Sequence, residues 1–362
     1  MDFGLSEDQV LLKETIRRWL DAECPTSRVR AVMESTSGHD PALWSGLAGL
    51  GVPGLHVPAE YGGSGLELLD AALAAEELGA ACMPGPFLAC ALATAALVAS
   101  GHDAAAARWL PALARGESIL TLAVGEEGDE WDADRLATRA RGGTLTGRKP
   151  LVPYAGIADA ILVAARDDAG PGVWLVERGA PGIEITALQG TDMTRRVDAV
   201  ALEGAPATKI VGGRTAIDRA RDAGLVLLAA DAYGGARRCL DMTVKYVLER
   251  EQFGQPIGAF QAVKHQLADL AADLDPALSL WWYAAHAYDR IQERAPRHAA
   301  LAKAHLTDLF DRTVRTCTEL HGGIGFTWEY DLHLWFRRAV FDQSFLGEAH
   351  YHRLRAAELA GW

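Results

Sequence analysis

A chain of 362 residues is too long for one compact core and predicts two or three domains. With 49% hydrophobic and 23% charged residues it reads as a folded globular protein, and a net charge of −13 argues against a nucleic-acid partner, because phosphate contacts need a basic face. No apolar run reaches membrane-spanning length and the start, MDFGLSEDQV, is polar and unlike a signal peptide, so no membrane partner and a cytoplasmic location are expected.

Residues 1 to 117 read as helical. Ser6 with Gln9 forms a capping box ahead of Leu12, Ile16 and Leu20 at helical spacing. A short amphipathic helix follows from Pro41 to Gly51, then the glycine-rich loop GLHVPAEYGGSG at 54 to 65, then alanine-rich helices over 66 to 115. The loop lacks a GK[ST] ending and a strand before it, so it is no phosphate cradle. The most apolar stretch, Ala71 to Val98, is interrupted by Glu76 and Glu77 and by Pro84-Gly85-Pro86.

Composition changes near Ser118. Short β-type runs at 119–124, 137–149, 160–166, 172–178, 183–188 and 197–204 alternate with Gly, Asp and Pro, which predicts a small antiparallel sheet domain or barrel. From Arg214 the pattern is helical to the end. Helices, then strands, then helices, without βαβ alternation, exclude a dinucleotide-binding doubly wound sheet. Domains are expected at 1–117, 118–212 and 213–362. Five scattered cysteines without a CxxC pair read as buried free thiols, and His350 and His352, two residues apart, do not share a helix face, so no metal site is expected.

The organising stretch runs from Ala229 to Leu270. Ala229, Ala232, Ala236, Leu240, Val244 and Val247 keep helical spacing, and the helix must break at Phe253-Gly254-Gln255-Pro256 before resuming near Phe260. At that corner Arg250, Gln252, Phe253 and Gln261 gather a cation, two amides and an aromatic ring. This set suits a polyanion carrying a flat ring.

The segment REQFGQPIGAFQAVKHQLADL resembles the flavin-binding segment of the acyl-CoA dehydrogenases, and LHGGIGFTWEYDLHLWFRRA at 320 to 339 resembles their second signature. The resemblance implies an α+β multidomain fold: a helical N-terminal domain, a β middle domain and a C-terminal four-helix bundle that builds a dimer or tetramer. It also implies FAD held across a subunit interface, with one chain contributing Arg250, Gln252, Phe253, Ile257 and Gln261 and its neighbour Glu319, Leu320, Gly322 and Gly323. The implied reaction is α,β-dehydrogenation of an acyl-CoA, in which a carboxylate takes the α-proton and the flavin receives a hydride, later passed to an electron-transfer flavoprotein or other acceptor.

The base departs from the family pattern. The position that holds the glutamate in most members is Leu346 here, and the alternative position on the long helix is Gly224. Asp231 lies seven residues beyond Gly224, on the same helix face about 10 Å along, in an apolar setting that would raise its pKa. It is the substitute candidate; the plain alternative is a buried aspartate satisfied by an arginine or a backbone donor. Glu348 is a second candidate facing another way. Gly125, Leu151 and Pro153 stand where the family places flavin-contacting Thr, Trp and Thr, and Glu319 replaces a common Gln beside the diphosphate.

Three functions therefore remain open: a dehydrogenase acting on a bulky acyl-CoA with Asp231 as base, a subunit that completes the flavin site in a heteromer with a paralogous glutamate-bearing chain, or a non-enzymatic homologue.

Overall fold

The structure is a computed structural model that describes residues 4–128 and 130–362. Met1 to Phe3, part of the polar start, lie outside the described residues, as does Asp129. The chain forms two compact units: residues 1–30, 72–83 and 225–362 make one, and 31–71 with 84–224 the other. The dividing lines fall inside three helices, so each unit is discontinuous in sequence.

The first helices are α1 (Glu7–Glu23), α2 (Thr26–Glu34), α3 (Pro41–Gly49), α4 (Leu68–Ala80), α5 (Phe87–Ser100) and α6 (Asp103–Ala114). The expected capping box closes α1: Gln9 N donates to Ser6 Oγ at 3.2 Å, and Ser6 N donates to Gln9 Oε1 at 3.1 Å. Pro41 opens α3, where Asp40 accepts from the amides of Ala42 and Leu43.

The second unit is built on one sheet of eight strands. These are β1 (Leu120–Ala123), β2 (Arg139–Arg141), β3 (Thr144–Pro153), β4 (Ala160–Asp167), β5 (Gly170–Glu177), β6 (Ile183–Ala187), β7 (Val197–Pro206) and β8 (Thr208–Ile210), in the order β6-β7-β3-β2-β4-β5-β8, with β1 on β4. Most pairs are antiparallel, as the short alternating runs predict. Two are parallel: β1 along β4, and β2 against β4 at Arg139 and Arg166. The long connection between β1 and β4, which includes the β2–β3 hairpin, returns the chain in its original direction, and that permits parallel pairing. Leu145, Val152, Ile161, Val163, Trp174, Val176, Val200 and Leu202 form the core of this sheet. Helix α5, buried along almost its whole length, packs on β1.

One buried ion pair organises the start of the sheet. Lys149 Nζ donates to Glu126 Oε1 at 2.8 Å and to Val124 O at 3.0 Å, while Glu126 also accepts from the amides of Ala137 and Thr138. Burial pushes the Lys149 ammonium down to about 8, against the pull of Glu126.

The first unit is helical. Helix α7 runs from Gly213 to Glu249; a hairpin of β9 (Glu251–Gln252) and β10 (Gln255–Pro256) follows, then α8 (Gln261–Arg290), α9 (Ala295–His321), α10 (Leu332–Ser344) and α11 (Ala349–Glu358). Helices α8, α10 and α11 pack on α9. Three glycines let backbones meet where any side chain would collide. A Cβ on Gly79 would lie 2.2 Å from Asp231 O, one on Gly234 1.9 Å from Glu76 O, and one on Gly235 2.4 Å from the Phe310 ring. The α7 stripe is buried at Ala229, Ala232, Ala236, Leu240 and Val247, but Val244, which the spacing also placed on it, is 38% exposed. All five cysteines are buried.

Candidate functional site

The corner after α7 is a tight hairpin rather than an irregular break. Gln252 pairs with Gln255, and the two residues between them, Phe253 at φ 54 and Gly254 at φ 79, are both left-handed. Two central residues with positive φ define the turn whose twist matches a short hairpin. Glycine takes that conformation freely, whereas a residue with a Cβ pays about 1–2 kcal/mol for it. Phe253 is also 94% exposed, its ring edge-on to Phe260 at 6.1 Å between centroids. A strained aromatic held out at a turn is a mark of a binding element. Arg250, Gln252 and Gln261 are exposed beside it and Ile257 is half-buried. The amide of Ile257 donates to Arg250 O at 2.8 Å, which closes the base of the loop.

The glycine signature lies at the C-terminal end of α9. Glu319 is exposed and Leu320 half-buried; Gly322 caps the helix at φ 65, ψ −145, a conformation close to those reserved for glycine. Open space surrounds the Cα of both Gly322 and Gly323, so no Cβ would meet protein there. A backbone left bare on its open side can be approached closely by a ligand. The two motifs are neighbours within one chain, where the resemblance implies that one chain contributes the corner and its neighbour the glycine turn: Tyr246, one turn before Arg250, stacks on His321 at 4.2 Å and donates from its hydroxyl to His321 O at 3.2 Å. A guanidinium, amides, an exposed ring and bare backbone amides fit the diphosphate and adenosine end of FAD.

Asp231 sits elsewhere in the same unit. It is 2% exposed, and Arg338 Nη1 lies 3.2 Å and 3.3 Å from its two carboxylate oxygens. Arg338, fully buried, also donates from Nη2 to Met83 O at 3.1 Å, and its neighbour Trp335 donates from Nε1 to Gly79 O at 3.0 Å. Helix α10 thus binds α7 and the end of α4 together through these two side chains.

Leu346 is buried, with left-handed backbone at φ 60. Its loop is fastened from both sides. Lys303 Nζ donates to Gln343 O at 2.7 Å and to Gly347 O, and His352 Nε2 bonds Leu346 O at 2.9 Å. Burial pushes the Lys303 ammonium down to about 7, with Asp342, Asp308 and Glu348 opposing that shift. Glu348 is exposed at the start of α11. Gly224 is buried. In the other unit Gly125 is covered by Trp131, whose ring would lie 2.8 Å from a Cβ at that position, so the space for a side chain at 125 is already filled.

Sequence reasoning missed Arg338, Lys303 and the Tyr246–His321 stack. The signal for the first two was a cation inside an apolar helical stripe: Arg338 follows Leu334 and Trp335, and Lys303 precedes Leu306 and Phe310. Among the described residues no group of three or more His, Cys, Asp or Glu side chains is placed to hold a metal, and no helix is long and apolar enough to cross a membrane.

Helical N-terminal and C-terminal regions flanking a β region, with an arginine corner and a glycine turn at one helix-bundle end, define a flavoprotein of the acyl-CoA-oxidising class. Residues 6–117 match the family described as acyl-CoA dehydrogenase, N-terminal domain, and residues 212–360 the acyl-CoA dehydrogenase, C-terminal domain. The chain is 35% identical to the acyl-CoA dehydrogenase IpdE2 of Mycolicibacterium smegmatis, over 95% of this chain and 96% of that one, and 32% identical to IpdE2 of Mycobacterium tuberculosis over 98% of each. Among solved structures it is similar to a Tcur3481–Tcur3483 steroid ACAD variant (31% identity, TM-score 0.90, 98% of each chain) and to the ChsE4–ChsE5 complex of Mycobacterium tuberculosis (29%, TM-score 0.90, 100% of this chain and 99% of that one). The chain belongs to the acyl-CoA dehydrogenase family, FAD-dependent oxidoreductases that act on acyl-CoA.

Proposed function

We propose that this chain is the flavin-holding subunit of a two-chain acyl-CoA dehydrogenase whose second, paralogous chain supplies the carboxylate base, and that the acyl group is bulky. The observation that carries this reading is the Arg338–Asp231 pair. A carboxylate with both oxygens against a buried guanidinium is stabilised as the anion and is a poor proton acceptor. Removing the proton acceptor from that pair would also leave a buried charge without compensation. Leu346 and Gly224, at the family's two base positions, have no ionisable group. Asp231 therefore serves the packing of α7 on α10, and the α-proton goes to a group outside this chain.

The residues that would hold FAD are Arg250, Gln252, Phe253, Ile257 and Gln261 of the corner, with Glu319, Leu320, Gly322 and Gly323 of the glycine turn. Arg250 provides a charge-assisted bond for the diphosphate, Phe253 a ring face, and the glycines close backbone approach. When bound, FAD supplies the acceptor for the β-hydride. The segments 1–117, 118–212 and 213–362 act as the N-terminal helical, β and C-terminal helical parts. Similarity to the ChsE4–ChsE5 complex and to the Tcur3481–Tcur3483 steroid ACAD variant supports a two-chain assembly and a bulky, ring-bearing acyl thioester.

The test is purification through a tag on this chain from its native host, followed by dehydrogenation assays with and without the co-purifying chain. The expected result is a second, glutamate-bearing chain without which acyl-CoA is not oxidised. Oxidation by this chain alone, lost in Asp231→Asn, would restore Asp231 as the base.

A further inference from the structure

His321 is 3% exposed and both of its ring nitrogens are engaged. Nδ1 is 2.7 Å from Cys317 O and Nε2 is 2.9 Å from the Tyr330 hydroxyl. A carbonyl can only accept, so Nδ1 carries the hydrogen, and in the neutral ring Nε2 accepts from Tyr330. One face of the imidazole stacks on Tyr246, and Tyr330 lies 4.6 Å away, tilted to it. The main-chain carbonyl of His321 is held as well, by the Tyr246 hydroxyl. Every polar group on this residue but its amide is thus committed to fixing where α9 ends.

What it fixes is informative. The next residue is Gly322, whose conformation turns the chain into the bare Gly322–Gly323 backbone. Tyr246 is bonded through its carbonyl to the amide of Arg250, at 2.8 Å. A continuous path of one stack and two hydrogen bonds therefore runs from the Arg250 backbone to the glycine turn. Neither His321 nor Tyr246 needs to touch a ligand to set the distance between the two motifs.

We propose that His321 is a positioning residue for the cofactor: through Tyr246 and Tyr330 it locks the corner carrying Arg250 to the turn at Gly322 and Gly323. The proposal rests on the flavin reading given above. Misplacing one motif against the other by about 1 Å is enough to weaken recognition strongly. A proton on Nε2 would turn that atom from acceptor to donor, so the Tyr330 hydroxyl would have to reverse from donor to acceptor to keep the contact. Burial already holds the His321 pKa below its usual 6.5, with the Cys317 bond pulling the other way; the charged groups whose fields reach Tyr330 are Asp331, Glu249 and Arg238.

The experiment uses the native assembly isolated through a tag on this chain, stripped of flavin and titrated with FAD by fluorescence between about pH 5 and pH 8, with melting followed at each pH. His321→Phe keeps the stack and loses both ring bonds, so its FAD dissociation constant rises about tenfold at the upper pH, with no comparable fall in melting temperature. Tyr330→Phe, which removes a single hydroxyl, weakens FAD in the same direction and serves if His321→Phe does not fold. Wild-type FAD affinity in both variants, or an affinity loss that only tracks unfolding, overturns the proposal. Arg250→Ala separates the two levels. If it weakens FAD while the His321 and Tyr330 variants do not, only the positioning role falls; if it leaves FAD binding unchanged, or the assembly binds no FAD, the flavin site falls and the proposal with it.

Discussion

Arg338 and Asp231, 107 residues apart in sequence, form a fully buried ion pair in which Nη1 lies 3.2 Å and 3.3 Å from the two carboxylate oxygens. Both charges left water to make it, and each depends on the other for compensation. This single relationship decides how the most attractive carboxylate in the chain is used.

Breaking the pair should be costly for stability. Arg338→Met alone is expected to lower the unfolding free energy by about 3–5 kcal/mol, because Asp231 remains buried without its partner. The double variant Arg338→Met with Asp231→Leu should recover much of that loss. Urea unfolding of the two variants checks it, and a double variant no better than the single one would show that the charges act separately.

The corner contact should appear in the flavin rather than in the fold. Arg250 is exposed on its loop, so Arg250→Ala is expected to leave the melting temperature nearly unchanged while weakening FAD by about 1.5–3 kcal/mol, the size of a charge-assisted bond. Visible flavin absorbance per chain after gel filtration reads the result.

Phe253 holds a left-handed backbone that suits asparagine or glycine better. Phe253→Asn is expected to raise stability by about 1 kcal/mol, through relief of that strain, and to lower FAD affinity, through loss of the ring. The opposite signs, measured by thermal melting and by flavin titration, distinguish a binding element from a surface turn.

Much of this was legible in sequence, and the failures have physical causes. The capping box at Ser6, the change to strands near Ser118 and the interruption after Arg250 follow from local chemistry, which residue types and spacing report directly. That Asp231 meets Arg338, or that Tyr246 meets His321, depends on how helices far apart in sequence pack, and no local pattern encodes a partner. The hairpin at Phe253 escaped notice because phenylalanine is a poor choice for a left-handed position. Where local preference is overridden in this way, function is the usual reason. The strand at 119–124 was legible, but its parallel pairing with β4 was missed because a four-residue apolar run has no direction in its pattern.

Lys303 makes stability depend on pH. Its folded pKa, about 7, lies below the ordinary 10.5, so between these values the unfolded chain binds the extra proton and stability rises with pH. The penalty of burying the ammonium is complete below about pH 7 and is relieved by about pH 10.5, a span of about 5 kcal/mol at about 1.4 kcal/mol per pH unit. Lys303→Met should abolish that slope, and should also release the loop of Leu346. Unfolding free energies across the window, compared between the two proteins, are the check.

The central claim, that this chain holds the flavin but lacks its own base, is tested most directly by adding acyl-CoA anaerobically to the flavin-loaded chain, alone and then with a glutamate-bearing partner chain, while the visible flavin band is followed. The account predicts no bleaching with the chain alone and rapid bleaching once the partner is present. Full bleaching by the chain alone, abolished in Asp231→Asn, would contradict it.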